Sequence, residues 1–303
     1  MGIGKYIKEI GRGREGARSL TREQATDLFG QLLDGTLQDL EVGAFCLAMR
    51  IKGETAQEMA GFLDATHARL NRVPKADHGR PTIVIPSYNG ARKLPQLTPL
   101  LALLLAREGL PVLIHGMASE STRIYTSNVL EAVEIYANTA ITSIACGEVQ
   151  FVPTGVLCPG LQRLLDVRRV VGLRNSAHSV VKLMNPCLGK SVLLSSYTHP
   201  EYALSMAATF ELMQSDAMLL RGTEGESVAD ARRMPQMDGF IGGQRQRLQE
   251  AQSGTLAALP DLLPTTDAGL TGAYIRQVMD GAKPVPESIA RQVEHILRLV
   301  NQL

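Results

Sequence analysis

The chain has 303 residues, 45% of them hydrophobic, with 31 Lys and Arg against 30 Asp and Glu for a formal net charge of +1. That length and apolar content can fill one large core or two modest ones, and the near-neutral balance excludes a protein whose whole surface is built for a polyanion. No window reaches the roughly 18 uninterrupted apolar residues a membrane span needs, and the basic start MGIGKYIKEIGRGREG lacks the apolar core of a signal peptide, so a cytoplasmic globular protein is expected.

The first 72 residues read as helices. Thr21 and Gln24 have capping-box spacing ahead of Ala25, Leu28, Phe29, Leu32 and Leu33, and Thr55 with Glu58 repeats the device ahead of Met59, Phe62, Leu63 and Leu70. Between them, Leu40 to Ile51 is apolar nearly all round, which predicts a buried helix. After Pro74, short apolar runs appear at Thr82 to Ile85, Pro111 to Ile114, Gln150 to Val152, Val192 to Ser195 and Ala217 to Leu220. Helical stretches at Gln96 to Glu108 and Tyr202 to Met213 fall between them, the second introduced by Thr198-His-Pro200-Glu201, a capping box with proline in the first turn. Strands alternating with helices predict a mainly parallel sheet covered on both faces. The expected class is α/β: a small helical domain over residues 1–73 and a larger α/β domain over 74–303. Residues 159–190 are helical and able to pack back on the N-terminal helices.

The four cysteines, Cys46, Cys146, Cys158 and Cys187, are scattered without a CxxC pair, so buried reduced thiols are expected rather than a zinc or redox site. Basic charge is concentrated in three places. Met1 to Arg22 carries six cations, including Lys5, Lys8, Arg12 and Arg14, against Glu9 and Glu15. Cys158 to Lys190 carries another six, among them Arg168, Arg169, Arg174 and Lys182, against Asp166 alone. Between His78 and Arg107 there is no carboxylate at all. In the last of these, IVIPSYNGARK passes from a strand through a polar turn to a helix, the position at which an α/β protein places a phosphate loop. This loop has one glycine, Gly90, followed by Arg92 and Lys93.

The phrases LTREQATDLFGQLLDGTLQDLEVGAFCLAMRIKGETAQEMAGF, IVIPSYNG, VLIHGMASESTRIYTSNVLEAV, VRRVVGLRNSAHSVVKLMNP and LLRGTEGESV resemble anthranilate phosphoribosyltransferase and its relatives, the glycosyltransferase family 3 proteins. The resemblance covers most of the chain. It implies a helical domain joined to an α/β domain of the phosphoribosyltransferase and nucleoside-phosphorylase type, with a site in the cleft between them. The family's diphosphate loop GTGGD falls on Ile85, Pro86, Ser87, Tyr88 and Asn89; all three glycines are gone and Pro86 lacks an amide hydrogen. A loop of this composition is expected not to close on a diphosphate. The KHGNR motif falls on Ile114 to Ala118 and keeps only His115 and Gly116, while the magnesium-binding acid pair falls on Ser227 and Val228. Glu224 and Glu226 are the nearby carboxylates that can in principle substitute there. Arg168 and Arg174 match family arginines, the first of them an acceptor contact.

This pattern resembles a divergent, non-catalytic branch of the family. It implies a homodimer that binds DNA, with RNA as a second candidate, through basic grooves and without sequence preference. No catalytic residue, metal or other cofactor is expected. Within the family fold, residues 87–93, Arg123 and Arg168 to Arg174 should surround the former cleft. Tyr88 is placed on an exposed loop, where it either stacks on a base or closes the loop by packing. His115 and His178 are read as hydrogen-bonded residues that order their loops rather than as acid-base groups. The N-terminal segment is either a basic arm or a helix whose Tyr6, Ile7 and Ile10 pack at a dimer interface. A transferase with an altered donor and a binder of a small anionic metabolite are the alternatives.

Overall fold

The computed structural model describes residues 2–118, 122–254 and 262–303. Along the chain come α1 (Gly4–Ile10), α2 (Gly13–Gly16), α3 (Arg22–Asp34), α4 (Asp39–Lys52) and α5 (Ala56–His67), then β1 (Thr82–Ser87), α6 (Thr98–Arg107), β2 (Val112–Gly116), α7 (Thr126–Ala132) and β3 (Val149–Pro153). Three helices follow, α8 (Thr154–Leu157), α9 (Pro159–Val171) and α10 (Ala177–Leu183). The chain ends with β4 (Ser191–Tyr197), α11 (Pro200–Leu212), β5 (Ala217–Arg221), β6 (Met237–Ile241), β7 (Gln244–Gln249), α12 (Ala268–Met279) and α13 (Glu287–Val300). Two compact units result, Met1–Arg72 with Thr154–Pro186 and Val73–Pro153 with Cys187–Leu303.

In the helical unit both N-terminal capping boxes form: the Thr21 and Thr55 hydroxyls accept from the Gln24 and Glu58 amides while those side chains reach back. Glu58 is fully buried and satisfied, taking hydrogen bonds from the Leu20 and Thr55 amides, both at 2.9 Å, and an ion pair from Lys52 at 2.6 Å. Its charge is thereby offset where an unpaired buried carboxylate would be strongly unfavourable. Helices α3 and α5 approach closely because Gly61 has no Cβ; one there would lie 2.7 Å from the Ala25 Cβ. Phe29 stacks on Phe62 at 4.6 Å between centroids, and Phe45 meets both edge-on.

Two expectations for this unit change. Helix α4 buries Phe45, Cys46 and Met49 but leaves Leu40, Leu47 and Ile51 exposed, because only one of its apolar faces finds a partner within the unit. The N-terminal segment is helical rather than a free arm, since Ile3, Tyr6 and Ile10 are buried within this same chain. Tyr6 also donates its hydroxyl to Asp27. Arg14 lies in α2, and its side chain is outside the described part of the structure.

The α/β unit is built on a seven-stranded sheet of order β3-β2-β1-β4-β5-β6-β7. Strands β1 to β5 run parallel to their neighbours, with Ile83 opposite both Val112 and Val192, and β6 and β7 extend the sheet antiparallel. The parallel strands are buried on both faces, so they read as unbroken apolar runs rather than alternating ones. Leucines of α6 together with α12 and α13 complete the core. Helix α11 begins at Pro200 with His199 at the cap position and no side-chain cap, so the capping box expected from Thr198 and Glu201 does not form. Of the cysteines, Cys46, Cys158 and Cys187 are buried thiols outside any disulfide, whereas Cys146 is exposed. No helix among the described residues is long and apolar enough to cross a membrane.

Candidate functional site

The loop leaving β1 sits at the carboxyl end of a central strand, where parallel sheets present their ligand sites. Its backbone amides do converge on a negative charge, contrary to the expectation that it would stay open. The charge is the protein's own. One oxygen of Glu226 accepts from the Asn89 and Gly90 amides, each at 2.7 Å, and the other accepts from the Ser87 hydroxyl at 2.5 Å. The Thr126 hydroxyl lies 2.6 Å from Ser87 and completes the chain. Glu226 is only 2% exposed. A second carboxylate, Glu224, accepts from the successive amides of Arg92, Lys93 and Leu94 at 2.7, 3.1 and 3.3 Å. Two consecutive anion nests of the β1 loop are therefore filled from within.

Local backbone chemistry makes this possible. Gly90 has φ +67, which places its amide beside that of Asn89, and a Cβ there would crowd Arg123 and the Ile124 carbonyl. Across from it, Glu224 itself adopts a left-handed φ of 51, uncommon for a residue with a side chain. Its strain is offset by ties that fix the turn: the Asn89 side-chain amide donates to the Glu224 carbonyl at 3.1 Å, and the Ser196 hydroxyl donates to the Gly225 carbonyl at 2.7 Å. The carboxylates considered as substitute magnesium ligands are thus committed to amide hydrogens. At the positions of the family's acid pair, Ser227 and Val228 are buried, and the Gln292 side chain brackets them by bonding to the Ser227 carbonyl and the Ala229 amide. Among the described residues no group of three or more His, Cys, Asp or Glu is disposed to hold a metal ion.

Tyr88 is not an exposed stacking platform. It is 5% exposed, and its hydroxyl bonds to His115 Nδ1 at 2.7 Å, so it closes the loop by packing. His115 is fully buried at the end of β2, and burial pushes its pKa down to about 3, which keeps the ring neutral, with a ring nitrogen able to accept a hydrogen bond from the tyrosine hydroxyl. An acid-base role is poorly served by a ring that stays neutral throughout the physiological range.

Three cations of the α/β unit, Arg92, Lys93 and Arg123, belong to or contact this loop. Arg92 and Lys93 spend their amides on Glu224 but keep their side chains exposed, and no carboxylate pairs with either side chain among the described residues. Arg123 donates to the Asn89 carbonyl at 2.9 Å. The helical unit carries a second group. Arg168 and Arg169 lie in the last turn of α9 and Lys182 in that of α10, and Arg174 lies in the connection between the two helices. His178 senses this group: burial first, then the charges of Arg174, Arg168 and Lys182, lower its pKa to about 3. Arg169 is partly neutralised by Asp166 at 3.2 Å. At the N-terminus Lys5, Lys8 and Arg12 are exposed, with Lys5 3.8 Å from Asp27 and Arg12 3.0 Å from Glu9, which reduces the local excess of charge.

The helical unit, the mostly parallel sheet and a loop of converging amides after the first strand together define a phosphoribosyltransferase scaffold. Residues 5–69 match the helical bundle domain of the glycosyl transferase family. Over 300 residues, spanning 97% of this chain and 92% of the relative, the sequence is 39% identical to the uncharacterized protein YbiB of Escherichia coli (strain K12). It is 30% identical over 220 residues, 70% of the chain and 64% of the relative, to the anthranilate phosphoribosyltransferase of Idiomarina loihiensis. Among solved structures, the anthranilate phosphoribosyltransferase of Thermus thermophilus matches with a TM-score of 0.70 at 20% identity, covering 95% of this chain and 85% of that one. The Saccharomyces cerevisiae enzyme, in complex with PRPP and Mg, matches with a TM-score of 0.71 at 13% identity, covering 99% and 88%. The chain belongs to the same family as YbiB, and its fold is that of the anthranilate phosphoribosyltransferase-like glycosyl transferases.

Proposed function

We propose that this protein is a non-catalytic, homodimeric nucleic-acid binder that uses the phosphoribosyltransferase scaffold without its donor chemistry. The observation that carries the reading is the occupation of the β1-loop amides by Glu226 and Glu224. A small diphosphate would have to displace a buried carboxylate from three hydrogen bonds, and charge-assisted bonds contribute about 1.5–3 kcal/mol each. The neighbouring Arg92 and Lys93 side chains are exposed and lack a carboxylate partner among the described residues. Exposed cations of this kind favour the spaced phosphates of a polymer, where affinity grows with counterions released and carries no sequence information. The grouping of Arg168, Arg174 and Lys182 about His178 supports the same reading for the helical unit.

The exposed apolar row Leu40, Leu47 and Ile51 on α4 supports dimerisation, because residues seven and four apart share a helix face and this face is unpartnered within its unit. The direct test is fluorescence anisotropy with two unrelated DNA duplexes and a single strand, repeated at several salt concentrations. Similar affinities for both duplexes, falling steeply with salt, are expected. Micromolar or weaker binding with a flat salt response at low ionic strength would overturn the reading. Saturable, magnesium-dependent binding of phosphoribosyl pyrophosphate would instead favour a transferase.

A further inference from the structure

The opposite end of the sheet carries a second cationic feature. A cavity of about 410 Å³ opens where the chain enters β1 and β4. There the segment after Val73 runs alongside Cys187, tied by Leu188 N to Val73 O at 3.0 Å and Thr82 N to Lys190 O at 2.9 Å. Lys75, His78, Arg80 and Lys190 line it, with Pro74 and Leu188 as apolar walls, and no lining residue is acidic. Strand β1 spans six residues, so this cavity lies on the order of 20 Å from the Glu226 nest at the strand's other end.

The cavity is built rather than incidental. The His78 ring fixes the loop from both sides, Nδ1 accepting from the Arg80 amide at 3.1 Å and Nε2 bonded to the Ile144 carbonyl at 2.9 Å. Gly79, at φ +72, allows the reversal that brings Arg80 back over the opening. Gly189 leaves room for the Lys75 stem, since a Cβ there would lie 3.3 Å from Lys75 Cγ. Lys190 Nζ is held by the main-chain oxygen of Leu303. Three cationic side chains gathered in one concave site with no acidic side chain in its lining focus positive potential into it. Leu188, 64% exposed beside them, offers a hydrophobic wall.

We propose that this cavity is a phosphate-binding site for a ligand of nucleotide size, with Lys75, Arg80 and Lys190 meeting the phosphate and Pro74 and Leu188 flanking its apolar part. The volume lies in the usual range for small-molecule sites. The phosphate belongs either to a free mononucleotide or to a nucleic-acid strand, and both sources present the same chemistry.

Calorimetric titration of the full chain with adenosine monophosphate, with inorganic phosphate as competitor, and with a 12-nucleotide single strand separates them. The expected result is saturable nucleotide binding weakened at least about tenfold in Lys75→Gln/Arg80→Gln, with Arg92→Gln/Lys93→Gln unaffected. Amide shifts confined to residues 75–80 and 188–190 on adding nucleotide to the unmodified protein provide the same test without substitution. If only the oligonucleotide loses affinity in the double variant, the site serves a strand. If neither ligand responds and no shift appears, the proposal is overturned. Loss of oligonucleotide binding in every protein, with nucleotide binding intact, would overturn the nucleic-acid reading above and leave this one standing.

Discussion

Glu226→Ala removes the internal occupant of the β1 loop. The Asn89 and Gly90 amides, each 2.7 Å from its carboxylate, and the Ser87 hydroxyl would then lose their acceptor in a site where Glu226 is only 2% exposed. The hydroxyl can turn to another partner, but the two amides cannot, and each stranded buried donor costs about 1–3 kcal/mol. A loss of about 2–6 kcal/mol follows, which for a unit of this size lowers Tm by on the order of 5–15 °C. Because the amides still converge, the vacated nest should accept an anion. Pyrophosphate at a hundred times its Kd for the vacated nest would restore about 2.7 kcal/mol in the variant, over and above any stabilisation it gives the unmodified protein through other sites. Differential scanning fluorimetry with and without pyrophosphate reads both effects. A variant within about 2 °C of the parent, or a pyrophosphate shift no larger in the variant than in the parent, would refute the reasoning that Glu226 fills the diphosphate position.

Tyr88→Phe leaves His115 Nδ1 buried without its 2.7 Å partner and is expected to cost about 1–3 kcal/mol in urea unfolding while leaving nucleic-acid affinity unchanged, because the ring is inside the loop. Acid should unfold the protein early. His67, His115 and His178 are held by burial at pKa values of about 4, 3 and 3, while the unfolded chain takes up their protons near pH 6.5. The unfolded state therefore binds more protons below that pH, and stability, complete above about 6.5, falls by up to about 1.4 kcal/mol per pH unit per histidine as pH drops toward the folded values. Urea midpoints measured from pH 7.5 to 4.5 check the slope; a flat profile contradicts it. Leu47→Asp places a charge in the exposed row of α4 and is expected to shift sedimentation toward monomer while the helical content stays unchanged.

Legibility in the sequence followed the range of the interaction. The capping boxes at Thr21 and Thr55 and the apolar runs of β1 to β5 depend on residues within a few positions of one another, and they are found where the pattern puts them. Strands β6 and β7 are missing from that reading because MDGFI contains a glycine and an acid and QRQRLQ is polar, as suits an edge strand that must not aggregate. A signal for them was present in Gly242-Gly243, both at positive φ and joining the two strands, as a tight hairpin requires. The helix of Leu40 to Ile51 misled because uniform apolarity suits an outer docking face as well as a buried core. The site was legible as a place but not as a state. Ser87, Asn89 and Gly90 meet Glu226 across more than 130 residues of chain, and Tyr88 meets His115 across 27, so no local pattern reveals either pairing. The glycines flanking Glu224 in GTEGE were the available hint that a carboxylate is being turned inward.

The nucleic-acid reading stands or falls on how affinity for a duplex depends on salt when the Arg92 and Lys93 charges are removed. Anisotropy titrations of the parent and of Arg92→Gln/Lys93→Gln, each at four or more salt concentrations, give the slope of log affinity against log salt. With both side chains on phosphates, the double variant should bind every duplex more weakly and show a slope shallower by about 1.8, near 0.9 per phosphate released. Equal slopes and affinities for the two proteins would contradict the account.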